Sequence, residues 1–91
     1  MREKLYLGTV ELHVISCERP LFSGKVDAVF AKSPVGWFGI LPRHAPATFL
    51  LQDSPLRVKT AEGERVFFVR RGVLHVRDNV VTVVADEIRS A

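Results

Sequence analysis

The sequence predicts an all-β fold of the sandwich or barrel type. Apolar and polar residues alternate with a period of two along most of the chain, which is the spacing of strands with one buried face. Turn signals separate the alternating runs roughly every 8 to 12 residues. Valine and phenylalanine are plentiful whereas glutamine and lysine are sparse, a composition that favours sheet over helix. These observations predict about eight to ten short strands.

The first two predicted strands lie on either side of a turn. Leu12 and Val14 alternate with polar neighbours, and residues 26–30 continue with the same spacing. Residues 19–24 contain an Arg-Pro and a Ser-Gly pair, which are turn signals between the two runs. We expect Ser33-Pro34 to end the second strand.

The middle of the chain predicts three further strands. Residues 36–41 form a short apolar run that we expect to be a buried strand. Residues 48–51 form the next strand, and a polar loop at residues 52–55 follows it. Alternation in residues 56–59 predicts another strand, and residues 61–64 are expected to form a hairpin turn.

The last third of the chain predicts three strands, at residues 66–69, 73–77 and 80–85. We expect Arg71-Gly72 to break the chain between the first two, and Asp78-Asn79 to form the turn before the third. Residues 86–91 have the only helix-like spacing and are too few to form a stable helix alone. All five prolines are expected to lie between strands, where no ladder N–H is needed.

Composition predicts one soluble domain, residues 1–91. The 91 residues are 47% hydrophobic and 25% charged, as is typical of a globular domain with one core. The net charge of +3 is too small to indicate nucleic acid by itself. The single cysteine excludes an intrachain disulfide. No apolar run reaches the length of a signal peptide or the roughly 20 residues of a membrane helix.

No arrangement of residues indicates catalysis, a metal site or another cofactor. His13, His44 and His75 are each 31 positions from the next, without the short ligand spacings of zinc sites. His13 and His75 lie between apolar neighbours, so we expect ordinary strand histidines. Cys17 has no triad partner at a suggestive spacing. The Gly-x-x-Gly at residues 36–39 precedes no helix and is not expected to bind phosphate.

A small basic β-barrel that binds single-stranded nucleic acid is the alternative function. Six basic and two acidic residues occur between positions 57 and 77, with Phe67 and Phe68 among them. Aromatic rings beside basic side chains can stack on bases and bind phosphates. The competing interpretation is that Arg57 and Lys59 form a solvated strand face while the phenylalanines belong to the core.

The segment at residues 36–46 is the most distinctive part of the sequence. Gly39 permits close approach of neighbouring groups, and Ile40 and Leu41 are expected to anchor the segment in the core. Two prolines then restrict a loop that presents a basic residue and a histidine. Such a loop is typical of a docking surface, because a preorganised loop loses less entropy on binding.

Residues 39–46 read Gly-Ile-Leu-Pro-Arg-His-Ala-Pro, which resembles the Gly-Ile-Leu-Pro-x-His-Ala-Pro motif of the epsilon subunits of bacterial and chloroplast F-type ATP synthases, called delta in mitochondria. Four further segments resemble that family in its own order: residues 12–19, 22–26, 71–76 and 79–86. The resemblance covers about residues 10–86. It implies a flattened β-sandwich of two roughly five-stranded antiparallel sheets with no catalytic activity.

The resemblance also implies a rotor subunit of the central stalk, which couples gamma to the c-ring in proton-driven ATP synthesis within the alpha- and beta-containing complex. The positions that correspond to gamma contacts are Ser16, Arg43, His44, Ala45 and Pro46. Those that correspond to c-ring contacts are Gly36, Trp37, Phe38 and Gly39. The implied location is peripheral, on the cytoplasmic side of the inner (plasma) membrane, without direct insertion and without nucleic acid.

Two features depart from the family pattern. Many relatives have an acidic residue between the glycines of the c-ring segment, where this chain has Trp37-Phe38. We therefore expect a c-ring contact that is more apolar and less sensitive to salt; a core position for Trp37 is the open alternative. Many relatives also continue into a C-terminal helical hairpin that inhibits ATP hydrolysis in several bacteria. This sequence ends at Ala91, so we expect no such inhibition.

Overall fold

A computed structural model describes residues 8–17 and 19–91, and every regular element in that part of the chain is a β-strand. The strands are β1 (Val10–Ser16), β2 (Arg19–Val26), β3 (Ala28–Ser33), β4 (Gly36–Ile40), β5 (Ala47–Leu51), β6 (Ser54–Thr60), β7 (Gly63–Arg77) and β8 (Val80–Ser90). The all-β prediction is confirmed. Two parts of the sequence lie outside the described residues. One is residues 1–7, where we expect no signal peptide. The other is Glu18, within the segment 12–19 that resembles the family.

The strands form one hydrogen-bonded network in the order β2-β1-β8-β7-β6-β3-β4, with β5 paired to β7. The first half of β7 pairs with β6 and the second half with β5, while β8 follows β7 along both halves. Because β7 and β8 run through both layers, the predicted five strands for each sheet are not confirmed. The β1–β8 pair is parallel, so the prediction of wholly antiparallel sheets is wrong. Within the described residues the network does not close into a barrel.

Arg71 and Gly72 bend β7 without ending it, whereas the sequence predicts a break. Arg71 has a φ of 55°, a left-handed conformation that redirects the strand. The register between β7 and β8 is the same before and after the bend. A Cβ atom at Gly72 would lie 2.5 Å from Cγ1 of Val69, so the bend leaves no room for a side chain here. The ladder to β8 skips Arg71 and resumes at Gly72, so β7 continues beyond the bend.

Residues 19–24, predicted as a turn, form most of β2 instead. The chain reverses earlier, next to Cys17, which has a φ of 54°. The register of β2 with β1 shifts between Val14 and Ile15, where Pro20 enters the ladder. Because β2 is at the edge of the network, no second strand lies beside it that would need a hydrogen bond from the N–H that Pro20 lacks.

Two other expectations about strands are wrong. Pro55 is the second residue of β6, but β3 pairs only with residues 57–59 of that strand, so Pro55 has a strand neighbour on one side. Residues 86–91, which have helix-like spacing, extend β8 almost to the end of the chain. Beyond it, the N–H of Ala91 donates to the carbonyl of Val66 at 2.9 Å. Pairing with β7 thus overrides the weak local preference of residues 86–91 for a helix.

The core lies between the two layers and receives buried side chains from all eight strands. Leu12 and Val14, which the alternation assigns to the core, are fully buried. On one side of the sandwich Phe38 of β4 stacks on Phe49 of β5, with ring centroids 4.2 Å apart. This aromatic contact fixes the two strands that flank the most distinctive segment of the sequence.

Candidate docking surface

Residues 36–51 run along one open side of the sandwich. They comprise β4, the connecting residues 41–46 and β5; in the described part of the chain β4 pairs only with β3, and β5 only with β7. Arg43 is the only residue of this run that is charged at neutral pH when His44 is neutral. A surface with so few charges suits contact with another protein better than contact with water. We call residues 41–46 the docking loop.

Hydrogen bonds hold the docking loop in one conformation. The N–H of His44 donates to the carbonyl of Leu41 at 3.2 Å and closes a turn, in which Arg43 has a φ of 66°. The N–H of Arg43 donates to Oδ1 of Asn79 at 2.9 Å. Nδ1 of His44 donates to the carbonyl of Ala45 at 2.7 Å. The loop is therefore preorganised, and one of its restraints comes from a residue far away in the sequence.

The docking loop presents four of the five residues that the sequence analysis predicts to contact gamma. Arg43, Ala45 and Pro46 are exposed, and His44 is half-buried. The His44 ring lies edge-on to Phe49 of β5, with centroids 6.4 Å apart. These four neighbouring side chains are thus available to a partner while the loop beneath them stays fixed.

Residues 36–41, predicted as a buried strand, form an edge strand that is fully buried only at Ile40. Leu41 is exposed, so the prediction that it anchors the core is wrong. The physical reason is the turn that starts at Leu41, because it directs this side chain away from the core. The loop is therefore anchored at Ile40, one residue before the turn.

The four residues that the sequence analysis predicts to contact the c-ring have different surroundings. Trp37 is 52% exposed, so it belongs to the surface and not to the core. Phe38 packs against the core and on Phe49. A Cβ atom at Gly39 would lie 2.8 Å from Cε1 of Phe30 on the neighbouring strand. Gly39 therefore makes room for a ring, which is a structural role.

The β3–β4 turn forms an apolar tip next to Trp37. Val35 is 97% exposed. Oγ of Ser33 accepts a hydrogen bond from the N–H of Val35 at 3.3 Å and donates to the carbonyl of Gly36 at 3.2 Å. Gly36 has a φ of 135°, which side-chain-bearing residues rarely adopt. The tip is thus a fixed turn that presents apolar side chains to a partner.

Ser16 lies at the end of β1 remote from the docking loop, opposite the middle of β8. Ser16 is the last residue of β1 and pairs with Ala85, whereas the loop is bonded to Asn79, just before β8. The five residue steps from Val80 to Ala85 correspond to about 17 Å of strand. The structure therefore does not bring Ser16 together with residues 43–46, and a partner that contacts both has to span this length.

A row of apolar side chains that the sequence analysis missed crosses the strands close to Ser16, one residue nearer the docking loop. Ile15, Val84, Val73 and Leu50 lie opposite one another on β1, β8, β7 and β5. Val84 is 44% exposed and Leu50 is 69% exposed. We call these four residues the outer apolar row. The available signal was the sequence of β8, which is apolar at successive positions, as in strands covered on both faces.

A polar row lies beside the outer apolar row. Its members are opposite one another on five strand segments: Ser23, His13, Thr82, His75 and Thr48. Oγ of Ser23 is 3.0 Å from Nδ1 of His13, and Oγ1 of Thr48 is 2.8 Å from Nδ1 of His75. His13 and His75 thus lie on strands, as expected, and each is hydrogen-bonded to a residue of the neighbouring strand. No three metal-ligating side chains converge among the described residues.

Most basic residues in the segment 57–77 are paired with acidic ones. Nε of Arg57 lies 2.7 Å from Oε2 of Glu64; their side-chain hydrogen bond is the main reason why the pKa of Arg57 is raised and that of Glu64 lowered. Further ion pairs join Arg70 to Glu87, Arg71 to Asp86 and Arg77 to Asp78. Phe67 is buried and Phe68 exposed. One exposed ring among paired cations offers little for stacking successive bases.

The remaining chemistry-bearing residue, Cys17, is exposed at the end of β1. Its Sγ donates to the carbonyl of Asp86 at 3.3 Å, and no nucleophilic arrangement surrounds it in the described residues. None of the described elements is a helix with the length and apolarity needed to cross a membrane.

The sequence is similar to one family over nearly its whole length. Residues 9–91 match the family described as ATP synthase, Delta/Epsilon chain, beta-sandwich domain. The ATP synthase epsilon chain of Acinetobacter baylyi is 43% identical over 81 residues, which cover 88% of this chain and 58% of the relative. That of Nitrosococcus oceani is 40% identical over 84 residues, covering 91% and 60%. The chain thus spans about three fifths of the length of these relatives.

Two solved structures have the same fold. A chain in the mitochondrial ATP synthase of Euglena gracilis (OSCP/F1/c-ring, rotational state 1) matches with a TM-score of 0.82 and 24% identity, covering 90% of this chain and 53% of that one. A chain in the central stalk/c-ring structure of the Tetrahymena thermophila mitochondrial ATP synthase matches with a TM-score of 0.70 and 16% identity, covering 86% and 63%. The predicted β-sandwich is confirmed.

Proposed function

The chain belongs to the delta/epsilon family of ATP synthase subunits, and on that premise we propose that it is a non-catalytic rotor subunit of the central stalk, joining the gamma subunit to the c-ring. It acts as a single β-sandwich domain over residues 1–91, within the complex that contains the alpha and beta subunits. It is peripheral, on the cytoplasmic side of the membrane, and transmits rotation during proton-driven ATP synthesis without carrying out chemistry.

One observation carries this proposal: the open side of the sandwich at residues 36–51 is preorganised and nearly free of charge. A subunit that transmits torque needs a firm interface, and a surface that is ordered before binding loses little entropy when the partner arrives. Large exposed apolar side chains on a fixed edge are typical of such an interface. Catalysis would need a different arrangement, with an activated nucleophile or an acid–base pair.

Gamma binds, in this proposal, from the docking loop across the outer apolar row to Ser16. The loop contributes Arg43 to Pro46, the polar row lies next along the face, and the outer apolar row supplies the apolar contact at the far end, beside Ser16. A single partner that lies across this face contacts both ends, although they are about 17 Å apart along the strands. Without the row, Ser16 and the loop would be two small, separate contacts.

The c-ring binds, in this proposal, at the β3–β4 turn and β4. Trp37 and the adjacent Val35 provide exposed apolar surface, and Gly36 allows the turn that presents them. Phe38 and Gly39 support this edge from within, because one packs on Phe49 and the other makes room for Phe30. The contact is therefore apolar and depends little on salt.

Affinity purification of the tagged chain from gently solubilised membranes of its source tests the proposed function. We expect gamma, the c-ring and the catalytic alpha and beta subunits to co-purify. Recovery of nucleic acid instead would favour the basic-barrel alternative. Intact ATP synthase that remains untagged in the same extract would overturn the rotor proposal.

Two matched lysine substitutions test the assignment of the gamma-binding face. Val84→Lys places a charge in the outer apolar row, and Phe68→Lys places one on the other layer; the two native side chains are 44% and 46% exposed. Val84→Lys is expected to weaken gamma binding at least about tenfold, since an unpaired charge has to be desolvated. Phe68→Lys should leave binding unchanged. Equal weakening of gamma binding by the two substitutions would contradict the assignment of the outer apolar row to the gamma-binding face.

A further inference from the structure

Strand β5 has the least protected edge of the sandwich. Unpaired strand edges are usually blunted by charged side chains, proline or a bulge. The edge strand β2 has all three: Lys25, Pro20 and a register shift opposite Val14 and Ile15. Edge strand β4 lacks these features, but two of its five residues are glycines, which weaken a strand and its pairing. The β5 sequence Ala-Thr-Phe-Leu-Leu has none of these features.

The free edge of β5 is short and bounded at both ends. In an antiparallel pair only alternate residues direct their N–H and C=O groups to the neighbouring strand. β7 therefore satisfies about half of the β5 backbone groups, and no second strand pairs with β5 in the described part of the chain. At one end the N–H of Gln52 donates to the carbonyl of Lys32 at 2.7 Å. At the other end β5 begins directly after the docking loop.

The side chains of β5 are arranged to accept a strand alongside. Phe49 faces inwards and is held by its stacking on Phe38. Leu50 faces outwards, 69% exposed, as the last member of the outer apolar row. A strand added to this edge would extend the sheet and place one of its own side chains next to Leu50. Its backbone would satisfy the remaining groups of β5.

We infer that the partner at this face docks by adding an extended segment as a further strand to the free edge of β5. In the proposed function on which this inference rests, that segment belongs to gamma. It is recognised by its extended backbone and by an apolar residue at the position that meets Leu50. Main-chain pairing of this kind gives affinity, while alternate side chains give specificity. The β5 edge is continuous with the docking loop, so one partner engages both.

Amide hydrogen exchange of the full chain, alone and with purified gamma, tests the inference. Alternate amides within residues 47–51 should exchange at least tenfold more slowly in the complex, because they become hydrogen-bonded. Gamma that binds without protecting these amides would overturn the inference and leave the proposed function intact, since docking on the face alone would explain it. Failure of gamma to bind at all would overturn the proposed function.

Matched edge variants provide a second measurement. Leu50→Lys puts a charge on the β5 edge, and Leu21→Lys puts the same charge on the exposed side chain of edge strand β2. We expect Leu50→Lys to weaken gamma binding at least tenfold and to abolish the protection of residues 47–51, with Leu21→Lys unchanged in both. Protection of β5 in the chain alone that rises with its concentration would assign the edge to a second copy and overturn the inference.

Discussion

Asn79 fixes the backbone of Arg43: its Oδ1 accepts a hydrogen bond from the Arg43 N–H at 2.9 Å, across 36 positions of sequence. The Nδ2 of Asn79 also donates to the carbonyl of Thr9 at 2.7 Å. Asp78 and Asn79 have φ values of 52° and 63°, the conformation of a two-residue hairpin turn with positive φ at both central positions. The β7–β8 turn thus positions the docking loop through a single side chain.

Asn79→Gly removes this side chain and keeps a residue that tolerates positive φ. We expect the free energy of unfolding to fall by about 1–2 kcal/mol, the range for losing two hydrogen bonds at the surface. Gamma binding should weaken as well, because the loop is no longer preorganised. Denaturant unfolding and a binding titration measure the two effects.

Asp78→Gly is the control, since Asp78 has the same sign of φ in the same turn but does not bond to the loop. Its ion pair with Arg77, at 3.6 Å, is exposed and worth little. Equal losses of gamma binding in the two variants would mean that the turn itself, rather than the contact with Arg43, positions the loop.

Gly72→Ala is expected to destabilise the fold by about 1–3 kcal/mol through overpacking. The added methyl group would lie 2.5 Å from Cγ1 of Val69 and 3.4 Å from atoms of Ala85 and Leu51, which are all buried. Gly24→Ala is the matched control, because its nearest neighbour is Phe22 at an ordinary 3.6 Å. The denaturant midpoints of both variants, compared with that of the wild type, measure the two losses of stability. A similar loss in both would show that the bend at residue 72 accommodates a methyl group.

Trp37→Ala should weaken assembly with the c-ring while changing the free energy of unfolding by less than about 0.5 kcal/mol, because the side chain is largely exposed. The wild-type contact should hold in high salt, as expected of an apolar interface. Co-sedimentation with purified c-ring at two ionic strengths measures both. Phe68→Ala, another exposed aromatic, is the control. Unchanged assembly with the c-ring in Trp37→Ala would refute the assignment.

The Arg57–Glu64 pair makes stability depend on pH in the acid range. The side-chain hydrogen bond from Arg57 lowers the pKa of Glu64 in the folded state, so the pair stabilises the fold above the ordinary glutamate pKa of about 4.3. That contribution is lost as the pH falls through the lowered folded-state pKa. Both groups are exposed, so the effect is small.

Glu64→Gln should therefore reduce the fall in the urea midpoint on acidification below about pH 4.3. Glu62→Gln is the control, because Glu62 lies on the same hairpin and forms no ion pair with the described residues. An identical acid dependence in wild type and Glu64→Gln would show that the ion pair does not persist in solution.

Part of the docking surface was predictable from local sequence. The glycine, proline and apolar positions of residues 36–46 predicted an anchored, restrained loop, and Ile40 is buried as expected. The position of Trp37 was left open between core and surface. The reason is that Trp37 precedes the inward Phe38 on an edge strand, and the local sequence carries no signal of what covers its outward side. Its exposure follows from the absence of a further strand over β4 in the described residues.

The larger errors of the sequence-based prediction concern the positions at which strands end. Residues 19–24 contain turn-forming pairs yet belong to β2, and Arg71-Gly72 bends β7 instead of ending it. Turn propensity is local, whereas a strand persists wherever a neighbouring strand supplies hydrogen bonds. β1 supplies them to β2, and β8 supplies them on both sides of the bend at Arg71.

The sequence by itself determined the all-β class, the inward positions such as Leu12 and Val14, and the hairpin turn at Asp78-Asn79. These follow from the pleat of a strand and the conformational preferences of single residues, which act over a few positions. Only the tertiary structure decided that β1 lies parallel to β8, that Val84 meets Val73 on an exposed face, and that Asn79 restrains the docking loop. Those relationships join residues far apart in the chain, and strand pairing places them together.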